Sequence, residues 1–230
     1  MRIFAVADLH LPGGRQKPMD VFGAHWTDHF ARISADWTDR VLPEDIVLIP
    51  GDISWAMTLS EAKPDIDAIG ALPGRKVLLR GNHDYWWNSV SRVRDALPAG
   101  MYALQNDAMK IDGCVFCGSR GWLLPCESAK EEDVRLYRRE LGRLTMSLDC
   151  AARLTANGER IICMTHFPPL TDACRDTEIS ALLAERRVDT AVYGHLHGES
   201  LKGAFRGVYR SVRYEQVSCD GLGFRLKQLE

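Results

Sequence analysis

Short apolar runs rich in β-branched residues alternate with stretches of helical periodicity along this chain of 230 residues. Continuous apolar runs of this length are typical of strands that are buried on both faces of a sheet. Five such runs predict strands at Ile3 to Ala7, Ile46 to Pro50, Val77 to Arg80, Ile161 to Thr165 and Thr190 to Tyr193.

Two helices are predicted between the first three strands. Apolar residues recur at spacings of three and four from Phe22 to Val41, and Pro43 closes this helix. A second helix is predicted from near Leu59 to Ala71, where Leu72-Pro73-Gly74 ends it. The resulting β-α-β-α-β order favours a parallel sheet with crossover helices. The turn residues of the Leu11 to Arg15 segment predict a loop before the first helix.

The second half of the chain predicts a second sheet. Strands are expected at Ala108 to Ile111 and at Val115 to Cys117, and the alternating tail from Val208 to Leu229 should finish this sheet. Between them, an apolar stripe from Val134 to Ala151 predicts a long helix. The stripe is heptad-like but short, so packing on its own domain is favoured over a coiled-coil partner. No linker divides the chain, and a single domain over residues 1–230 is expected.

A potential metal ligand follows each of the five predicted strands. The segments are Asp8-Leu9-His10, Gly51-Asp52, Gly81-Asn82-His83-Asp84, His166 and Gly194-His195-Leu196-His197. The carboxyl ends of strands are where an α/β sheet gathers a ligand site. A lone Asp after a strand is usually a cap, and a lone His is usually a structural residue. Five such segments in one context instead indicate a two-metal hydrolytic centre.

The order D-x-H, G-D, G-N-H-D/E, H and G-H-x-H resembles the calcineurin-like metallophosphoesterases, and the resemblance runs from Asp8 to His197. It implies an α/β fold, a four-layer α-β-β-α sandwich of two mixed β-sheets flanked by helices. It also implies a dinuclear metal centre that cleaves phosphate mono- or diesters by in-line attack of a metal-bridging hydroxide.

The same resemblance assigns ligands to two metal sites. Site one would comprise Asp8, His10, Asp52 and His197, and site two would comprise Asp52, Asn82, His166 and His195. Asp52 would bridge the two metals. Nitrogen and oxygen ligands without thiolate suit Mn, Fe, Zn or Ni, and the sequence does not choose among them. The expected cofactors are therefore two divalent or trivalent metal ions.

His83 lies beside Asn82 but is not a ligand in the family. An imidazolium near the leaving oxygen would act as a general acid, which is typically worth about 10²–10⁴-fold in rate. Asp84 would hold this imidazole in the right tautomer and raise its pKa. The alternative role for Asp84 is a simple loop cap.

Several residues near these motifs are candidates for substrate contact. Trp55, Trp86 and Trp122 could stack on a base or sugar, or could pack in the core. Arg120 lies in a glycine-flanked loop and could bind a phosphate or remain solvated. His25 and His29 are expected on a packed or solvated helix face. The arginines of the long helix alternate with acidic residues and predict a self-paired surface, comprising Arg135, Arg138, Arg139 and Arg143.

Composition and charge bound the function further. A hydrophobic fraction of 46% and a charged fraction of 26% are ordinary for a globular protein. The net charge of −2 gives no strong nucleic-acid signal. Seven scattered cysteines fit a reducing compartment, with Cys114 and Cys117 expected as buried small hydrophobes. The sequence has no room for a signal peptide and no membrane span, so a soluble cytoplasmic protein is expected.

A metal-dependent phosphoesterase is therefore the leading hypothesis. The expected partner is a small phosphorylated substrate, with nucleotides and a phosphorylated lipid precursor among the candidates. The alternative is a catalytically weak binding or scaffold protein on the same fold, which should show a broken ligand position. A nucleotide-sensing regulator that binds without turnover is a third option. Intact ligand positions and His83 favour the enzyme.

Overall fold

The protein is described by a computed structural model that covers residues 1–14, 19–126, 128–155 and 158–230. The predicted loop from Leu11 to Arg15 is described as far as Gly14, and Arg15 lies outside the described residues. The first half contains β1 (Ile3–Ala5), α1 (His29–Arg40), β2 (Ile46–Pro50), α2 (Leu59–Gly70), β3 (Arg75–Leu79), α3 (Val90–Ala96) and β4 (Met101–Leu104). The second half contains β5 (Ala108–Ile111), β6 (Cys114–Ser119), α4 (Glu131–Leu154), β7 (Arg160–Thr165), α5 (Glu178–Glu185), β8 (Thr190–Tyr193), β9 (Gly207–Tyr209), β10 (Val212–Gln216) and β11 (Lys227–Leu229). Short 3₁₀ helices lie at Met19–Phe22, Ala24–Trp26 and Gly198–Gly203.

The strands form two mixed sheets. The first has the order β11-β1-β2-β3-β4, in which β1 to β4 are parallel and β11 is antiparallel to β1. The second has the order β5-β6-β7-β8-β10-β9, with parallel central strands and antiparallel strands at both edges. Because the parallel strands of each sheet point the same way, their carboxyl ends share one edge.

Three buried apolar clusters separate four layers. Alternate residues of β2 show the arrangement, because Val47 faces the cluster under α1 and α2 while Leu48 faces the second sheet. Phe116 and Ile162 meet Leu48 in the cluster between the sheets. A third cluster lies under α4 and α5. The predicted four-layer α-β-β-α sandwich is thus confirmed.

Two predicted elements were wrong in part. The helix expected from Phe22 begins as an α-helix only at His29, because Gly23 has a φ of 131° and Asp28 a φ of 51°, both incompatible with a continuous helix. The tail was expected to finish the second sheet. Its strands β9 and β10 do so, but β11 returns to the first sheet and pairs with β1.

Two smaller expectations concern the start of α2 and the cysteines of β6. Leu59 begins α2 behind a capping box formed by Thr58 and Glu61. Cys114 and Cys117 are free thiols that pack into different apolar clusters on the two faces of β6, and Cys117 is buried as expected whereas Cys114 is only partly buried. Among the helices of the described residues, none is long and apolar enough to cross a lipid bilayer.

Candidate metal centre

Four of the predicted ligands follow their strands in a left-handed backbone conformation. The φ angles are 61° at Asp8, 46° at His10, 52° at Asp52 and 71° at His195. Such angles cost about 1–3 kcal/mol each in residues other than glycine and cluster at functional sites. The backbone of Asp8 donates to Gly51 O at 3.0 Å, and that of His10 donates to Asp52 O at 2.9 Å. These bonds hold two ligand loops against each other.

A glycine precedes Asp52, Asn82 and His195 for a steric reason. A methyl group on Gly51 would lie 2.6 Å from His166 Nδ1, and the φ of Gly51 is 96°. One on Gly194 would lie 2.5 Å from Asp8 Oδ2, and one on Gly81 would lie 2.9 Å from Asp52 Cγ. The ligand side chains therefore occupy the space that a Cβ would fill.

The ligand atoms form two groups. The first comprises Asp8, His10 and His197, whose donor atoms lie within 4.8 Å of one another. The second comprises Asp52, His166 and His195, within the same limit. These groups match the two sites expected from the resemblance, except that the first lacks Asp52 and the second lacks Asn82.

Asn82 and Asp52 complete the arrangement. Asn82 Oδ1 lies 2.7 Å from His166 Nε2 and 3.1 Å from His195 Nδ1, so it belongs to the second group. Asp52 Oδ2 lies 3.3 Å from His166 Nε2 and 3.9 Å from His10 Nε2. Its other oxygen accepts a hydrogen bond from the backbone of His83 at 2.8 Å. One carboxylate therefore faces both groups.

The second group is built to receive a cation. His166 Nδ1 lies 3.0 Å from the carbonyl oxygen of Pro50, which can only accept, so the Nδ1 atom carries the proton. In the neutral ring, the Nε2 lone pair then points at Asn82 Oδ1 and Asp52 Oδ2, which are themselves acceptors. A proton or a metal ion is needed between them. Nitrogen and oxygen ligands fit a transition metal there.

Burial and the carboxylates shift the pKa values in the centre. Burial raises the pKa of Asp8 to about 6 and lowers the pKa of His10 and of His195 to about 3. Burial would also lower the pKa of His166, but the adjacent Asp52 carboxylate raises it to about 9. His10 and His195 are thus neutral at pH 7, the form that binds metal, whereas His166 must give up a proton.

Asp220 is a site residue that sequence reasoning missed. His197 Nδ1 lies 3.0 Å from Asp220 Oδ1, and Asp220 also accepts from the backbone of Gly198 at 3.1 Å. This carboxylate leaves His197 Nε2 facing Asp8 Oδ1 at 3.7 Å, the arrangement typical of metal-binding histidines. Asp220 follows β10, a parallel strand of the second sheet. Its place after a strand was the available signal.

The hydrogen bonds of Asp84 favour its alternative role as a loop cap. Its buried carboxylate accepts hydrogen bonds from the backbone of Ile53 (2.9 Å), Ser54 (3.1 Å) and Gly81 (2.7 Å) and from Trp86 Nε1 (3.0 Å). It therefore ties the loop after β2 to the loop after β3, which favours this role over orienting the imidazole of His83. Burial raises the pKa of Asp84 to about 6.

A cavity of about 360 Å³ lies over the centre. Its apolar walls are Met19, Phe22, Trp26 and Trp55. The rest of its lining comprises His10, His25, Asp52, His83, His195, His197, Gly198 and Asp220. Trp55 stacks on His10 with centroids 4.8 Å apart and lies 4.5 Å from His83. Trp55 and His83 are thus both placed to meet a ligand in this cavity.

The other candidate contacts are placed differently. Trp86 is 1% exposed and packs in the core, which is the second of the two roles left open by the sequence. Trp122 packs 5.2 Å from Phe167 and donates to Asp133, away from the cavity lining. Arg120 lies with its guanidinium 4.7 Å over the Trp122 ring and lines a second cavity.

Comparisons with known proteins agree with this arrangement. The chain is 24% identical over 203 residues to the Gene 66 protein of Mycobacterium phage D29, covering 87% of this chain and 80% of that protein. Two solved structures share the fold over 99% of this chain and 95% of theirs. They are the AQ665 protein of unknown function from Aquifex aeolicus (TM-score 0.52, 14% identity) and Phosphopantetheinyl Hydrolase from Mycobacterium tuberculosis (TM-score 0.56, 16% identity).

The model of one protein family matches most of the chain. It is described as calcineurin-like phosphoesterase and matches residues 1–199, which include every predicted metal ligand from Asp8 to His197. By this match and by its two-sheet architecture, the chain belongs to the calcineurin-like phosphoesterase family.

Proposed function

We propose that this protein is a dinuclear-metal-dependent hydrolase of phosphate mono- or diesters. The observation that carries the proposal is the position of Asp52 Oδ2, 3.3 Å from a histidine of one ligand group and 3.9 Å from a histidine of the other. A carboxylate so placed can bridge two cations. Asp8, His10 and His197 would complete one site, and Asn82, His166 and His195 the other.

When bound, the metals would supply a hydroxide nucleophile at neutral pH and neutralise the phosphoryl oxygens. His83 would protonate the leaving oxygen, because its ring lies in the cavity lining, 5.8 Å from the ring of His10. Its backbone is fixed by the bond to Asp52 Oδ1. Asp84 supports this role indirectly, by holding the loop that carries His83.

The substrate would place its phosphate at the ligand groups and its remaining part against the apolar walls. Trp26 and Trp55 offer aromatic surface within the cavity, which suits an organic phosphate ester with an apolar or aromatic portion. The name of the Mycobacterium tuberculosis neighbour adds phosphopantetheinyl esters to the candidate substrates, beside nucleotides. That residues 1–230 form a single domain and that the protein is cytoplasmic stay predictions.

Hydrolysis of bis-p-nitrophenyl phosphate and p-nitrophenyl phosphate, with and without added Mn²⁺, tests the proposal. We expect metal-dependent turnover that Asp52→Asn abolishes and that Asp133→Asn, a surface carboxylate bound to Trp122, leaves unchanged. Two bound metals without turnover of either ester or of natural phosphate esters would instead favour the binding-protein alternative.

The role of His83 needs a comparison of leaving groups. His83→Ala should leave metal content nearly unchanged and lower kcat for alkyl phosphate esters by about 10²–10⁴-fold. The loss should be much smaller for p-nitrophenyl esters, whose leaving group needs little protonation. An equal loss for both kinds of ester would refute the acid role.

A further inference from the structure

A second cavity, of about 250 Å³, has four arginines in its lining. Its lining comprises Arg80, Arg120, Arg139 and Arg143 with Glu140, the polar residues Asn88, Gln105 and Asn106, and the apolar residues Leu79 and Leu104. It lies at the carboxyl ends of β3, β4 and β6, against the first half of α4. This is the strand edge that also carries the metal ligands.

Positive charge in this cavity exceeds the negative charge available to it. Glu140 is 2% exposed and is shared by three guanidinium groups, since Arg143 bonds to it at 2.6 Å while Arg120 and Arg139 lie 3.7 Å away. Within the described ranges, the buried Nε atom of Arg80 has no hydrogen-bond partner. Four arginines thus face one carboxylate in a chain whose net charge is −2.

The expectation that the arginines of α4 pair with acidic residues of the same helix is met in this cavity by Arg139 and Arg143, which share Glu140. Arg135 and Arg138 do pair outside it, with Glu132 at 3.9 Å and with Glu178 at 2.6 Å. Arg139 and Arg143 instead lie on the side of α4 that faces the loops after β3 and β6. The self-paired surface of α4 therefore extends into the cavity, where one carboxylate serves both arginines.

The backbone connects the cavity to the second ligand group. The carbonyl oxygen of Arg120 accepts hydrogen bonds from the backbone of His166 and of Phe167, both at 3.0 Å. Arg80 is two residues before Asn82 in the loop that carries this ligand. The cavity therefore shares loops with the site proposed for hydrolysis, and an anion held by these arginines would be distinct from the phosphate that is cleaved.

We propose that this cavity binds a second phosphate dianion. Guanidinium groups bind phosphate oxygens through paired hydrogen bonds, and a dianion would relieve the repulsion among four arginines that one carboxylate leaves uncompensated. The ligand is either a second phosphoryl group of the substrate or free inorganic phosphate. The first source rests on the proposed hydrolase function, whereas binding of inorganic phosphate does not.

Calorimetric titration of Mn²⁺-loaded protein with inorganic phosphate tests the site. Wild-type protein should bind two phosphates per chain, one at the metals and one in the arginine cavity. Arg80→Gln combined with Arg139→Gln should weaken the second site by at least about tenfold. Arg143 would still hold Glu140 in this double variant, and bound metal measured in the same sample reports its folding. Arg138→Gln, on the same helix outside the cavity, is the matched control and should keep both sites.

Kinetics with alkane bisphosphates and alkyl monophosphates of equal length separate the two sources. If the substrate supplies the second phosphate, the KM of wild type should be at least about tenfold lower for the bisphosphate than for the monophosphate. This difference should be lost in the double variant and kept in Arg138→Gln. Equal KM values together with phosphate-dependent changes in turnover, absent from the double variant, identify free phosphate. Equal phosphate stoichiometry and affinity in wild type and in the double variant would overturn the proposal, whether or not the metals bind a phosphate of their own. Calorimetry gives this answer even if no ester is hydrolysed.

Discussion

Gly194→Ala should remove one metal and leave the other. The new methyl group would lie 2.5 Å from Asp8 Oδ2 and 2.6 Å from the Cβ of Ala7. Carbon and oxygen atoms that are not bonded rarely approach within about 3.2 Å, and Ala7 is fixed in the core between the sheets. The Asp8 carboxylate must therefore move by roughly 0.7 Å. Metal–carboxylate bonds of about 2.0–2.2 Å do not survive such a shift.

Two magnitudes follow from this overlap. Overpacking of this kind costs about 1–3 kcal/mol in the free energy of unfolding. Loss of a residue that supports a metal ligand typically lowers metal affinity by about 10–100-fold. Metal affinity at the site that contains Asp8 should fall by more than this, because a ligand itself is displaced. The second site keeps Asp52, Asn82, His166 and His195, so the bound metal should fall from two per chain to one.

Elemental analysis after gel filtration, with chemical denaturation of the same samples, measures both effects. Gly142→Ala is the matched control, because a methyl group there meets nothing within 4 Å in the middle of α4. That control should keep both metals and gain about 0.5–1 kcal/mol, since alanine favours a helix over glycine. Two metals per chain in Gly194→Ala at low micromolar metal would refute the steric reasoning.

Three further predictions follow from the same geometry. Gly81→Ala would push the carboxylate of Asp52 from its place and should lower metal occupancy at both sites; occupancy lost at only one site would argue against a shared Asp52. Asp220→Asn should weaken metal binding about 10–100-fold at the site that includes His197 and leave the other site unchanged, which competition with a chelator would measure. Metal affinity should rise with pH, because the pKa of His166 is raised to about 9 and a metal must displace its proton at lower pH. The affinity for Mn²⁺ should increase by about tenfold per pH unit between pH 7 and 8.5, and an affinity that does not change over that range would contradict this prediction.

The strands and ligand segments were predictable because they are local in sequence. Each apolar run was followed at once by a candidate ligand, and the parallel order of the strands places those ends at one edge. Asp8, Asp52 and His166 could therefore be expected together before any coordinates. Asp220 escaped because β10 lies in an alternating tail that was not distinguished from an edge strand.

What the sequence left open or predicted wrongly concerns contacts between residues distant in sequence. Nothing local shows that Asp84 is buried against the backbone of Ile53 and Ser54, rather than turned to its neighbour His83. Burial of Trp86 likewise depends on layers formed by other elements. Arg80 and Arg139 are far apart in sequence and meet only because α4 covers the loops after β3 and β6.

Titration of metal-free protein with Mn²⁺, with initial rates of bis-p-nitrophenyl phosphate hydrolysis recorded at each addition, tests the central claim most directly. If Asp52 joins two metals in one hydrolytic centre, two equivalents bind and the rate reaches its maximum only with the second. A maximum rate at one equivalent, with no change on binding the second, would contradict a dinuclear centre.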